Sequence, residues 1–176
     1  PGATSNDMIS WIKDTGAKAN IGDGGIGTNS PLCAVLMGNA LGFKPTFVAY
    51  RGSAPAINDL AGGQIDLLWD QASNGIPHAQ GGTVRAIAVT SSARMKQVPD
   101  VPTTKELGLP DISYTLWHGL YVAKGTPKDV IEKLNGALRQ ALADPAVAAK
   151  LDATGAPPLP EAERTVESHA KLFASE

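Results

Sequence analysis

The sequence predicts an α/β fold built on a mainly parallel sheet flanked by helices. Three observations carry that expectation. Short strand-like runs alternate with helical stretches through the first half of the chain. Glycine (19) and proline (13) are frequent enough to punctuate many short elements. One segment, Phe47 to Asp70, reads as strand, tight turn, short helix, glycine pair and second strand. Alternation at that spacing implies βαβ units.

Ser5 to Thr15 is expected to be a helix, with Ser5 as its cap, Met8, Ile9 and Ile12 as its apolar face and Gly16 as its stop. Ala17 to Ile21 reads as a short strand, followed by the glycine-rich loop Gly22 to Asn29. Ser30 as cap and Pro31 at the first helical position open a helix running to Gly42. Thr46 to Tyr50 is a second strand, Ala54 to Ala61 a short helix and Ile65 to Trp69 a third strand. A turn and a weak helix occupy Asp70 to Gly81, and Val84 to Thr90 reads as a fourth strand.

The pattern then changes. Val98 to Pro110 is a proline-rich bridge with one short helix at Thr103 to Leu107. Thr115 to Ala123 reads as another strand. Thr126, Pro127 and Asp129 then form a helix start with a capping-box pattern. Val130, Ile131, Leu134, Leu138, Ala141 and Leu142 form one stripe of that helix. Asp144-Pro145 restarts a helix to Ala153, and a last amphipathic helix runs from about Glu161 to Ser175.

Composition narrows the function classes. The 15 Lys and Arg are scattered among 17 Asp and Glu, so no basic stripe collects nucleic-acid phosphates. No apolar run approaches the ~20 residues of a membrane span. Residues 1–6 lack the basic start and apolar core of a signal peptide. The single Cys33 excludes an intramolecular disulfide and reads as a buried, inert thiol. His78, His118 and His169 lack metal-ligand spacing. No metal or cofactor is expected.

The chemistry concentrates in two loops. Tyr50-Arg51-Gly52-Ser53 puts an aromatic ring, a guanidinium and a helix N-terminus together. Uncapped N–H groups attract anions, and arginine grips a carboxylate through paired hydrogen bonds. Gly27, Thr28, Asn29 and Ser30 offer further backbone and side-chain donors, a cradle for a small anion. Asp70, directly after the third strand, is either a hydrogen-bond acceptor for a ligand or a helix cap. Arg51 and Ser53 also admit plain roles, as a solvated cation and a cap. The glycines at 22, 24 and 27 formally match a dinucleotide fingerprint, and Arg51 suits a 2′-phosphate, so an NADP-dependent enzyme is the rival reading. A plain tight turn is the third.

Taken in order, Tyr50-Arg51-Gly52-Ser53-Ala54-Pro55-Ala56, Gly62-Gly63-Gln64-Ile65-Asp66, Val84 to Ser91, Pro99-Asp100-Val101-Pro102-Thr103, Gly108-Leu109-Pro110, Trp117-His118-Gly119-Leu120 and Gly125-Thr126-Pro127 form a set. That set closely resembles the Bug receptors, the TctC-like periplasmic solute-binding proteins of tripartite tricarboxylate transporters. The resemblance implies a two-lobed, clamshell receptor that captures small carboxylates, hands them to membrane transporter subunits and performs no chemistry. The implied pocket is Gly27, Thr28, Asn29, Tyr50, Arg51, Gly52, Ser53 and Asp70.

Members of that family are much longer. By comparison with them, residues 1–115 are expected to form the second, ligand-binding lobe. Residues 116–176 would be a return segment of a first lobe whose N-terminal half is absent from this chain. Unpaired strand edges would then favour a homo-oligomer. Loss of all binding in such a truncated receptor is a further possibility.

Overall fold

The computed structural model describes residues 4–15, 18–25, 29–109, 112 and 116–175. The chain divides into two compact units, Pro1–Leu116 and Trp117–Glu176. In the first unit, helix α1 (Ser5–Thr15) precedes strand β1 (Asn20–Asp23), helix α2 (Asn29–Leu41) and strand β2 (Thr46–Ala49). Helix α3 (Ser53–Ala61), strand β3 (Leu67–Leu68) and helix α4 (Ala72–Gln80) follow.

The sheet has three strands in the order β2-β1-β3, and both pairings are parallel. Asn20 pairs with Thr46 and Asp23 with Ala49 on one side; Ile21 pairs with Leu67 on the other. Parallel strands all end at one edge of the sheet, so the loops after β1, β2 and β3 gather there.

Central position explains why β1 is buried while β2 is largely exposed. Ile21 is fully buried and packs with Met8, Ile9 and Ile12 of α1, Ala34 and Met37 of α2, and Leu67 of β3. Trp11, Phe43, Trp69 and Ile87 close over that core. The apolar face expected of α1 is therefore the face it buries. Its cap is Thr4, not Ser5: Thr4 Oγ1 accepts from Asp7 N–H at 3.1 Å, and Asp7 returns a carboxylate to Thr4 N–H at 2.8 Å. The expected stop at Gly16 and the strand start at Ala17 lie outside the described residues.

Gly22 belongs to β1 and not to the loop. A Cβ there would stand 2.5 Å from Ile65 Cδ1 and 3.2 Å from Leu68 Cδ1. Glycine at this position lets β3 and its flank close on the central strand. The third strand is shorter than expected. Ile65 is buried just before it, and Asp66 holds Asn20 through both its N–H and its carboxylate, each at 2.9 Å.

Val84 to Thr90 does not form a fourth strand. Val89 instead makes one isolated parallel bridge with Thr103. Its N–H donates to Pro102 O at 3.0 Å, and its carbonyl accepts from Thr104 N–H at 2.9 Å. The proline-rich bridge has taken the hydrogen bonds that a sheet neighbour would need. Thr103 to Leu107 is a turn rather than a helix, fastened by a reciprocal pair. Glu106 accepts from Thr103 N–H at 2.7 Å, and Thr103 Oγ1 accepts from Glu106 N–H at 3.1 Å. Arg94 reaches both Glu106 oxygens at 3.0 and 2.9 Å.

The second unit is helical: α5 (Lys128–Ala143), α6 (Pro145–Ala153), a 3-10 turn (Glu161–Glu163) and α7 (Val166–Ser175). Residues 116–123, read as strand, pair with no strand among the described residues. Thr126 does not cap α5; its hydroxyl donates to Ala123 O at 2.8 Å, and Pro127 stands at the cap. Asp144 does cap α6, accepting from Ala146 and Val147 N–H. The last helix starts later than expected, after Thr165, whose Oγ1 accepts from Ser168 N–H at 3.0 Å. None of the described residues of this unit is buried. Val130 and Leu134 of the α5 stripe remain 40% exposed.

Candidate functional site

The candidate site lies in the first unit, beyond the carboxyl ends of its strands. In doubly wound sheets with this strand order, ligands bind in the crevice where the order reverses, between β1 and β3. Ser30 sits at the base of that crevice. Its hydroxyl donates to Trp69 O at 2.6 Å and approaches Gly22 O at 3.3 Å, tying the two strand ends together. Ser30 was expected to cap α2, but α2 begins one residue earlier, at Asn29. Gly27 and Thr28 lie outside the described residues, and Asn29 is placed by its backbone as the first residue of α2.

Tyr50, Arg51, Gly52 and Ser53 form the turn from β2 into α3. Two main-chain bonds press it against the loop after β1: Tyr50 N–H to Asp23 O at 2.8 Å and Gly52 N–H to Gly24 O at 3.1 Å. Asp23 also accepts from Gly25 N–H through its side chain, at 2.8 Å. Gly52 adopts φ 111°, which only glycine enters without strain. It is the cap residue of α3, and it brings no side chain to cover the helix start.

The side chains of the turn are committed differently from expectation. The Tyr50 hydroxyl donates to Asp59 Oδ2 at 2.8 Å, on the helix that follows. That bond holds the phenol above its ordinary pKa, because ionisation would break it. Ser53 donates its hydroxyl proton to Asp70 Oδ1 at 2.8 Å, so it has no proton left for a ligand. Asp70 Oδ1 also accepts from Gln71 N–H at 2.7 Å and from Asn74 Nδ2 at 3.2 Å. Asn74 reaches Ser53 Oγ as well, at 3.1 Å. Asp70 Oδ2 is buried with no hydrogen-bond partner.

What remains for an anion is the main chain and Arg51. No side chain caps α3 or α4. At α3 the N–H groups of Ser53 and Ala54 have no intrahelical acceptor, and Pro55 has no N–H to offer. Arg51 is exposed, and among the described residues no carboxylate pairs with it. Two uncapped helix starts and a guanidinium without a carboxylate among the described residues thus share one edge of the sheet. The arrangement suits an oxyanion held by main-chain donors and one cation.

Asn74, Asp59 and Asp23 were not singled out from the sequence. Ser30 was read there as lining an anion cradle, but its hydroxyl proton goes to Trp69 O. Asn74 lies one helical turn beyond Asp70, the only local signal for it. The contacts of Asp59 and Asp23 depend on how the turn after β2 folds back.

Of the glycines in the dinucleotide fingerprint, Gly27 lies outside the described residues. The first of them, Gly22, is a buried strand residue in register with Val48 and Leu68. Among the described residues no group of three His, Cys, Asp or Glu is placed to hold a metal ion. No helix among the described residues is long and apolar enough to cross a membrane. Cys33 is buried, and burial pushes its thiol pKa up, consistent with an inert side chain.

The second unit carries a cavity of about 240 Å³, lined among others by Trp117, His118, Leu159, Glu163, His169 and Lys171. His169 lies on α7. Its ring meets Trp117 and Tyr121 edge-on, at centroid distances of 5.3 and 5.1 Å, and packs on the Gly119 backbone.

The family described as "Tripartite tricarboxylate transporter family receptor" matches residues 1–171. The chain belongs to that receptor family. A UPF0065 protein of Agrobacterium vitis is 39% identical over 173 residues, which is 98% of this chain and 50% of that protein. Protein BugT of Bordetella pertussis is 33% identical over 134 residues, 76% of this chain and 41% of BugT. Among solved structures, the periplasmic binding protein BugD has a TM-score of 0.92 at 36% identity, covering 99% of this chain and 58% of BugD. MatC of Rhodopseudomonas palustris, solved with bound malate, has a TM-score of 0.91 at 33% identity, covering 99% of this chain and 60% of MatC. The chain therefore has the α/β fold of periplasmic binding proteins, as its sequence predicts. It spans about half the length of the curated relatives it matches.

Proposed function

We propose that this chain is the carboxylate-binding part of a periplasmic receptor that serves a tripartite tricarboxylate transporter. The observation that carries the proposal is the sheet edge itself. There the uncapped N–H groups of Ser53 and Ala54 stand beside Arg51, which pairs with no carboxylate among the described residues, at the crevice where parallel α/β sheets bind ligands. Membership of the receptor family supports the reading. So does the malate bound by MatC.

In this reading the ligand carboxylate docks on the α3 start, and Arg51 closes over it. Gly52 lets the chain approach without a side chain in the way. Asn29, at the start of α2, contributes together with Gly27 and Thr28 that precede it in the chain. The work is capture, with no bond made or broken. Residues 1–115 act as the binding lobe, and residues 116–176 as a return segment of another lobe. The exposed Leu120, Tyr121, Val122 and Phe173 of that segment favour association with further protein, a second copy included.

Titration calorimetry with malate and adipate, with NADPH as the nucleotide control, tests the proposal. A carboxylate is expected to bind, and Arg51→Ala to weaken it by about 1.5–3 kcal/mol. Binding of NADPH in place of both acids would refute the receptor reading. Unchanged affinity in Arg51→Ala would return Arg51 to the solvated surface.

A further inference from the structure

The two uncapped helix starts at the sheet edge belong to separate elements, and an anion held by both needs them at a fixed spacing. At α3 the open N–H groups are those of Ser53 and Ala54. At α4 they are those of Ala72 and Ser73, because Asn74 N–H already donates to Gln71 O at 3.0 Å.

Side chains from the two helices meet on one oxygen, Asp70 Oδ1. It accepts from Ser53 Oγ of α3 at 2.8 Å, from Asn74 Nδ2 of α4 at 3.2 Å and from Gln71 N–H at the α4 cap at 2.7 Å. Asn74 Nδ2 also donates to Ser53 Oγ at 3.1 Å, which closes a triangle of three side chains. The oxygen stands on a fixed stem, since Trp69, the residue before Asp70, has its carbonyl bonded by Ser30 Oγ at 2.6 Å.

The other oxygen, Oδ2, is buried with no hydrogen-bond partner among the described residues. A carboxylate so placed carries two costs: one oxygen is desolvated without a donor, and its charge opposes an anion nearby. What it supplies in return is one strong acceptor shared by three donors, and a charged acceptor makes shorter and stronger bonds than a neutral one. All three donors come from the chain, and they come from the two helix starts.

We infer that Asp70 is a positioning residue: its Oδ1 fastens the start of α3 to the start of α4, and so sets the spacing of the N–H groups that receive the anion, without touching the ligand. The inference rests on the receptor reading and adds to it the residue that holds the two helix starts in register.

Calorimetry on the full chain with malate and adipate tests it. Ser53→Ala breaks the tie from the α3 side, keeps the Asp70 charge and keeps the N–H offered to the ligand. It is expected to weaken binding on the order of tenfold. In an Asp70→Ala background the tie is already gone, so the same change is expected to cost no more than about twofold. Asp70→Asn keeps an acceptor oxygen and removes the opposing charge, so affinity is expected to rise by roughly threefold. Hydrogen exchange at the amides of the first turns of α3 and α4, read without ligand, is expected to quicken at both in Ser53→Ala and at neither in Asp70→Asn. Weaker binding in folded Asp70→Asn would overturn the inference, because the charge itself would then serve the ligand. So would equal losses from Ser53→Ala in both backgrounds, or wild-type affinity in Ser53→Ala, which would leave the tie structural only. The receptor reading stands in each of those cases. A folded wild-type chain that binds neither acid would overturn the receptor reading, and the inference with it.

Discussion

Replacing Ser30 by alanine removes the hydroxyl that bonds the start of α2 to the chain just after β3. Ser30 is 7% exposed, and its Oγ lies 2.6 Å from Trp69 O and 3.3 Å from Gly22 O. A hydroxyl has one proton, so the shorter contact is the hydrogen bond. Alanine fits the same space without strain, and the loss is the bond alone. Leaving a buried carbonyl without its donor costs about 1–3 kcal/mol. Each kcal/mol moves the midpoint of a chain this long by roughly 2–4 °C, so a fall of roughly 2–12 °C is expected. Differential scanning calorimetry measures it, with Ser10→Ala, an exposed site on α1, as the control. The same variant should weaken carboxylate binding, because Trp69 directly precedes Asp70. An unchanged midpoint would mean that the strand ends are held by packing and that the Ser30 tie is incidental.

Other outcomes follow from the same geometry. Gly22→Ala pushes a methyl to within 2.5 Å of Ile65 Cδ1, and the core must shift. A destabilisation of about 1–3 kcal/mol is expected by urea unfolding, as for overpacking in general. Asp144→Ala removes the cap of α6 and should cost about 0.5–2 kcal/mol, read from the same curves as a loss confined to the second unit. The Arg94 guanidinium, with help from Thr103, holds the Glu106 carboxyl below its ordinary pKa. A carboxyl whose folded pKa is depressed contributes stability above its unfolded pKa, and that contribution disappears as pH falls through the folded value. The midpoint difference between the wild type and Glu106→Gln should therefore be present at neutral pH and vanish in acid. A difference that persists in acid would place the stabilisation elsewhere.

Much of the molecule was legible from local pattern. The apolar spacing of Met8, Ile9 and Ile12 identified the buried face of α1, because helical periodicity needs no knowledge of the partner. Asp144-Pro145 marked the α6 start, because a cap acts on its own next residues. The βαβ alternation implied parallel strands and thus a single edge where loops collect. Ordered motifs along the chain identified the receptor family. The turn at Tyr50 to Ser53 and Asp70 were read as one site for the same reason, and Ser53 does meet Asp70 in the fold.

Tertiary structure decided which atoms remain available there. Tyr50 and Ser53 carry hydroxyls that suit a carboxylate, yet one donates to Asp59 and the other to Asp70. Gly22 reads as a loop glycine until Ile65 and Leu68 are seen packed against it. Val84 to Thr90 has a strand pattern, but Val89 bonds to the segment at Pro102 and Thr104. A sequence specifies which groups can donate and accept, and how local elements begin and end. Each hydroxyl has one proton, and each N–H reaches one good acceptor. Which partner receives it depends on residues brought close by packing, and that is a property of the folded chain alone.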